Sequence, residues 1–200
     1  MKMATRKGIL FGLSIAVTLL ASAIFITTTI RALWYAPEVE VPIAADIQEA
    51  AAGDVPSRLR IPALGIDAHV QQVGINASGN MATPNNFTDV GWYKYGPPPG
   101  FQGSAVLAGH VDNGLGLSGV FKKLNELSVG DEIQVENKNG ERMDFRVVEI
   151  QTYPHDKVPN HILFARDDAA RLNLITCEGD WLQSERTYDK RLVVYAELVR

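Results

Sequence analysis

The chain has 200 residues and a net charge of −4, and it contains one cysteine. That length holds one domain with additions rather than two large domains, and the absence of a basic stripe in the body of the chain argues against nucleic acid as a partner. A single cysteine forms no intramolecular disulfide, so a domain working outside the cytoplasm must be stable without that staple.

Residues 1–8 carry Lys2, Arg6 and Lys7, and Ile9 to Ile30 then runs without a charged residue. About 20 apolar residues suffice to cross a bilayer as a helix, so 9–30 is expected to be a transmembrane signal anchor. The positive-inside bias keeps the N-terminus cytoplasmic and sends the rest of the chain to the extracellular side, with Trp34 and Tyr35 at the outer interface. A cleaved signal peptide is the competing reading, because Ala21-Ser22-Ala23 resembles a cleavage site, but the apolar run continues well past it. Residues 31–56 contain Pro37, Pro42 and Pro56, a run of alanines and, after Arg31, acidic but no basic side chains, the composition of a solvated tether.

The globular part is expected over 57–200. Arg58–Ile61 and Ile66–Val73 read as strands around a Pro62/Gly65 turn, and 74–86 reads as loop. Val90–Tyr93 follows, then a rigid Pro/Gly turn at 96–103 and a short buried-type strand, Ser104–Ala108, that leads to His110. Ser118 is placed to cap a short helix whose Val120, Phe121, Leu124 and Leu127 share one face. Glu132–Glu136 and Met143–Gln151 read as a hairpin pair around 137–140. A long loop, 153–166, and a helical turn at 167–171 precede two last strands, Leu172–Ile175 and Leu192–Leu198, with a polar loop between them. Seven or eight short strands with little helix argue for a closed or nearly closed β-barrel.

Cys177 ends the first of those two apolar runs, and Arg191 opens the second. A thiol and a guanidinium brought together there can act as nucleophile and oxyanion stabiliser. His110, behind Gly109 at the end of another strand, is positioned as the proton shuttle; His69, His155 and His161 compete for that role, and Arg186 competes with Arg191. No histidine has zinc-type spacing to another or to the cysteine, so neither a metal nor a cofactor is expected. If 172–177 is a regular strand, Ile175 and Cys177 share one face and Leu174 and Thr176 the other. Thr176 is nonetheless a candidate for peptide binding, as is the 153–166 loop.

These residues resemble the motifs of the sortases, the membrane-anchored cysteine transpeptidases of bacterial surfaces. Leu174-Ile175-Thr176-Cys177 is similar to the T-L-x-T-C nucleophile motif, with Asn173 where the first Thr usually stands. Ala108-Gly109-His110 is similar to the histidine motif, and Arg191 stands where the family has its arginine. Val90–Tyr93 and the following Pro/Gly turn look most like the class F branch, with classes D and E as neighbours. The resemblance implies an eight-stranded sortase-type β-barrel, with Cys177 as nucleophile, His110 as general acid and base, and Arg191 as oxyanion or substrate stabiliser. It also implies cleavage of an L-P-x-T-G-like sorting signal between Thr and Gly and transfer to an amine of a peptidoglycan precursor or a pilin lysine. An L,D-transpeptidase is disfavoured because Thr176, not Gly, precedes Cys177. A membrane-tethered β-domain that only binds a partner, or a cysteine peptidase that hydrolyses without transfer, would carry the same anchor.

Overall fold

Alternation of apolar residues along the strands closes them around one interior in the computed structural model, which describes residues 15–30, 52–113 and 116–199. The strands are β1 (Pro56–Ile61), β2 (Ile66–Val73), β3 (Val90–Tyr93), β4 (Gly103–Gly109), β5 (Glu132–Asn137), β6 (Arg142–Pro154), β7 (Ala170–Leu182) and β8 (Thr187–Leu198). They form a closed barrel in the order β1-β2-β3-β4-β7-β8-β6-β5, with β5 returning to β1. The pairs β2–β3 and β4–β7 are parallel, and the others are antiparallel. Closure leaves no open edge to template another chain.

Every strand sends side chains into the interior: Leu59, Ala68, Trp92, Leu107, Ile133, Phe145, Leu174 and Val194 are among them. Val55, just ahead of β1, is buried in the same interior. Gly109 is glycine for packing reasons, since a Cβ there would stand 2.5 Å from the Phe121 ring.

The strands β4, β7 and β8 are buried on both faces. Val106, Ala108, Ile175, Cys177, Val193 and Tyr195 form a second cluster on the outer face, with Leu163 and Phe164 packed against it. Those last two belong to a helix, Asn160–Ala165, which we call α2. At six residues it is too short to persist alone, and burial of its two apolar side chains, each contributing about 1.5–3 kcal/mol, holds it in place. The sequence places loop here and a helical turn at 167–171; the turn is absent, and β7 already begins at Ala170.

The helix expected after Ser118 is replaced by tight turns with a single 3-10 turn, Leu124–Glu126. Its N–H groups are taken by other partners: Val120 bonds to the Phe87 carbonyl and Phe121 to that of His110, while Lys122, Leu124 and Glu126 reach back only three residues. The apolar face is still read correctly, because Phe121, Leu124 and Leu127 join the barrel interior.

Residues 15–30 form a helix, α1, whose apolar side chains are exposed all around it, from Ile15 to Ile30. Among the described residues no helix is long and apolar enough to cross a membrane. The first part of the expected span, residues 9–14, and most of the expected tether, residues 31–51, lie outside the described residues.

Candidate active site

The strand register assembles Cys177, His110 and Arg191. Cys177 on β7 is directly opposite Arg191 on β8. Side chains at such paired positions share a face with Cβ atoms about 4.5–5.5 Å apart. On the other side of β7, the parallel pairing with β4 runs to Ala108 opposite Ile175. His110 directly follows the end of β4 at Gly109, and continuing the register two steps past its last pair would set His110 abreast of Cys177, on the face that carries Ile175 and Cys177. All three residues are buried: Cys177 and His110 are 2% exposed and Arg191 0%.

One expectation needs correction. Cys177 is not at the end of its strand, and Arg191 does not open the next one. The backbone pairing continues through Glu178–Leu182 and Thr187–Lys190, across an irregularity between Glu178 and Trp181, to a turn at residues 183–186. What ends at Cys177 is burial, since Glu178 is half-buried and Gly179 to Trp181 are exposed. The thiol therefore sits where the strand emerges from the body of the protein, two residues past its last pair with β4 and still paired with β8.

The histidine candidates separate by burial. His69 and His161 are exposed and His155 is half-buried, whereas His110 is enclosed. His155 makes a 3.2 Å contact to Glu185 in the β7–β8 turn. The His110 ring is anchored by Nε2, 3.2 Å from the Pro84 carbonyl in the β2–β3 loop. A carbonyl only accepts, so Nε2 carries hydrogen in this arrangement and Nδ1 is the nitrogen that gains or loses a proton.

Arg191 is clamped by its own strand. Nη1 donates to the carbonyls of Tyr188 and Lys190, both at 2.9 Å, and Nη2 donates to Thr187 Oγ1 at 2.8 Å. Its Nε–H has no acceptor, and no carboxylate lies within ion-pair distance of the guanidinium among the described residues. A buried cation without a paired anion favours negative charge beside it, and the group facing it across the ladder is the Cys177 thiol. Arg186 differs: it lies in the exposed turn with φ 56°, outside the buried ladder.

Burial is the largest influence on the thiol and pushes it up to about 11; the Arg191 charge opposes that shift, and the Asp112 carboxylate adds to it. Cys177 is therefore a thiol at neutral pH. The arrangement can generate a thiolate by passing the proton to a neighbouring imidazole beside a guanidinium. Among the described residues no group of three His, Cys, Asp or Glu side chains is placed to hold a metal ion.

Thr176 is not part of this set. It pairs with Leu192, shares the interior face with Leu174 and is fully buried, with its hydroxyl unpartnered among the described residues. The strand alternation that separates it from Cys177 outweighs its adjacency in sequence. Because the hydroxyl is buried without a bond, Thr176→Val is expected to leave turnover within about twofold of wild type and to raise stability by up to about 1 kcal/mol, measured by peptide turnover and urea melting. Sequence reasoning missed Asp112, Thr187 and Tyr188. Thr187 and Tyr188 read as loop in the sequence, and Asp112 stands only two places after His110 without an apolar pattern to mark it.

The family model of the sortase domain matches residues 59–199. Among solved structures the chain resembles sortase C-1 from Actinomyces oris, with TM-score 0.55 and 22% identity, covering 72% of this chain and 73% of that one. It also resembles the sortase D5 transpeptidase from Clostridium perfringens, with TM-score 0.55 and 21% identity, covering 76% and 83%. Sortase A from Corynebacterium diphtheriae gives TM-score 0.56 and 18% identity, covering 78% and 63%. No curated protein sequence matches the chain. At these identities the solved structures speak for the fold, while the family match runs from within β1 to just beyond the end of β8, and on that match the chain belongs to the sortase family.

Proposed function

We propose that this protein is a membrane-anchored cysteine transpeptidase that cleaves an L-P-x-T-G-like sorting signal between Thr and Gly and transfers the acyl group to an amine of the cell wall or of a pilin. The observation that carries the reading is the cross-strand pairing of Cys177 with a fully buried guanidinium that has an unused Nε–H and no carboxylate partner among the described residues. Cys177 Sγ passes its proton to His110 Nδ1 and attacks the Thr carbonyl carbon. The oxyanion of the tetrahedral intermediate is met by Arg191. The imidazolium gives its proton to the leaving glycine nitrogen as the C–N bond breaks. The incoming amine then attacks the thioester, His110 takes a proton from it, and the thiolate leaves. Enclosure of the thiol by Ile175, Val193 and Ala108 disfavours water and supports transfer over hydrolysis.

The anchor reading is supported by α1. Its apolar side chains are exposed, and three of its threonines satisfy their hydroxyls internally: Thr27 and Thr28 donate to the Ile24 carbonyl, and Thr28 and Thr29 to that of Phe25. Such back-bonding removes the polar penalty of threonine in lipid. In the sequence the uncharged run from Ile9 to Ile30 has the length a bilayer-spanning helix needs, about 20 residues. Val90–Tyr93 and the Pro/Gly turn that follows support the class F assignment within the family.

The test is incubation of the full-length protein with quenched L-P-x-T-G and L-P-x-T-A peptides, with and without an amine acceptor, with products read by mass spectrometry. Cleavage after Thr with transfer to the amine is expected. Cleavage to the free acid alone would make it a peptidase. Neither cleavage nor reactivity of Cys177 toward a thiol alkylator would leave a binding domain.

A further inference from the structure

Asp112 and Tyr188 join the two sides of the site. Asp112 follows His110 by two residues, and its backbone is pinned by a β-bridge to Ser118. Its side chain is only 12% exposed, and its Oδ2 accepts a 2.5 Å hydrogen bond from the Tyr188 hydroxyl. An O–H···O⁻ bond of that length is charge-assisted and among the stronger ones in proteins. The same Tyr188 offers its carbonyl to Arg191 Nη1, and its ring is held edge-on by Trp181 at 5.3 Å. A continuous path therefore runs from the His110 loop through Asp112 and Tyr188 to the guanidinium.

Among the described residues, Arg191 and Tyr188 on β8 and Asp112 after β4 act electrostatically with Cys177, and His110 stands two residues before Asp112. Lys122 stands 3.9 Å from the same Asp112 oxygen, with its own side chain half-exposed. Tyr188 is kept neutral by burial and by its bond to Asp112. With thiol and neutral imidazole, the site holds Arg191⁺ and Asp112⁻. With thiolate and imidazolium, one anion and one cation are added. Leaving out the half-exposed Lys122, both states are neutral overall, so the proton can pass between Sγ and Nδ1 without leaving net charge in a buried place.

We propose that Asp112 and Tyr188 are positioning residues of the reaction: their hydrogen bond fixes the His110 loop against the β8 segment that clamps Arg191, and the Asp112 carboxylate supplies the charge that keeps the activated site neutral. This rests on the catalytic roles proposed above for Cys177, His110 and Arg191. Removing the carboxylate favours the thiolate but strips the imidazolium of its counter-charge, so the thiol becomes more reactive while turnover falls. A merely structural role would not separate the two.

The experiment uses the full-length protein and reads iodoacetamide alkylation of Cys177 against pH by mass spectrometry, together with kcat and KM for peptide transfer. In Asp112→Asn the amide oxygen still accepts from Tyr188, but the charge is gone. The alkylation profile is expected to move to lower pH, with alkylation at pH 8 roughly threefold faster after allowing for the weaker nucleophilicity of a more acidic thiol, while kcat falls about tenfold. Tyr188→Phe keeps the charge and loses the bond: kcat is expected to fall about fivefold with no shift to lower pH. Lys122→Ala removes a half-exposed cation beside Asp112, so it is expected to fold and to move the profile to higher pH; it decides the question if Asp112→Asn does not fold. Superimposable profiles for wild type, Asp112→Asn and Lys122→Ala, or equal shifts in one direction, would overturn the proposal. Because alkylation needs no peptide, that failure is distinct from failure of the transpeptidase reading, which would appear as absent turnover in wild type.

Discussion

Cys177→Ala is expected to reduce peptide transfer to background, a loss of about four to six orders of magnitude in kcat, because no other thiol exists in the chain to form the thioester. Mass spectrometry of wild type quenched during turnover should show the acyl adduct on Cys177, and the alanine variant should show none. Residual transfer near the wild-type rate would end the nucleophile assignment. The thiol also carries a pH signature. Burial holds its folded-state value at about 11, above the ordinary 9.0 of an exposed cysteine. Alkylation of the empty enzyme should therefore keep rising beyond pH 9, and a plateau below pH 8 would contradict the burial. The linkage has a definite sign: a folded value above the unfolded one gives stability that is fully present below pH 9 and is lost as pH rises toward 11. Over that window wild type should lose up to about 3 kcal/mol relative to Cys177→Ala, read by urea melts at pH 8 and pH 11.

The reason Cys177 was legible as a site, but its strand was not, lies in what hydropathy reports. Apolar runs mark where side chains are buried, whereas strands are defined by backbone pairing. Along β7 the two coincide from Arg171 to Cys177 and then separate, because the hairpin continues into solvent. The same distinction explains α2. A six-residue helix begins after Pro159 without a side-chain cap, and tertiary burial of Leu163 and Phe164, not local periodicity, holds it. At 118–127 the periodicity was present, but the backbone donors were claimed by Phe87 and His110, so the face formed without the helix. The barrel interior was legible because period-two alternation is imposed by geometry and survives in every strand. That rule also sets Thr176 with Leu174 and away from Cys177. The Asp112–Tyr188 link joins residues 76 apart in sequence and leaves no mark in either local pattern.

Arg191→Ala is expected to lower kcat by about 10²–10³, equivalent to about 2.7–4 kcal/mol of transition-state stabilisation, with a smaller change in KM. Arg191 holds an unused donor beside the thiol. Both Nη1 hydrogens and one on Nη2 are committed to Tyr188, Lys190 and Thr187, which fixes the plane of the guanidinium; Nε–H is uncommitted among the described residues. A donor held in place before charge develops costs no reorganisation when the oxyanion forms, which is why its loss falls on kcat. Arg191→Lys tests this directly, because it keeps the positive charge but has neither the fork nor an Nε–H, and should recover less than about a tenth of wild-type activity. If lysine restores full activity, charge alone is what the reaction needs. Truncation also leaves the three clamp acceptors unpaired in a buried place, so thermal melting must accompany the kinetics to separate lost catalysis from lost fold. Arg186→Ala is the control, since this exposed turn residue lies outside the buried ladder and should stay within about twofold of wild type. The reverse ranking would move the oxyanion role from the rigid strand to the turn.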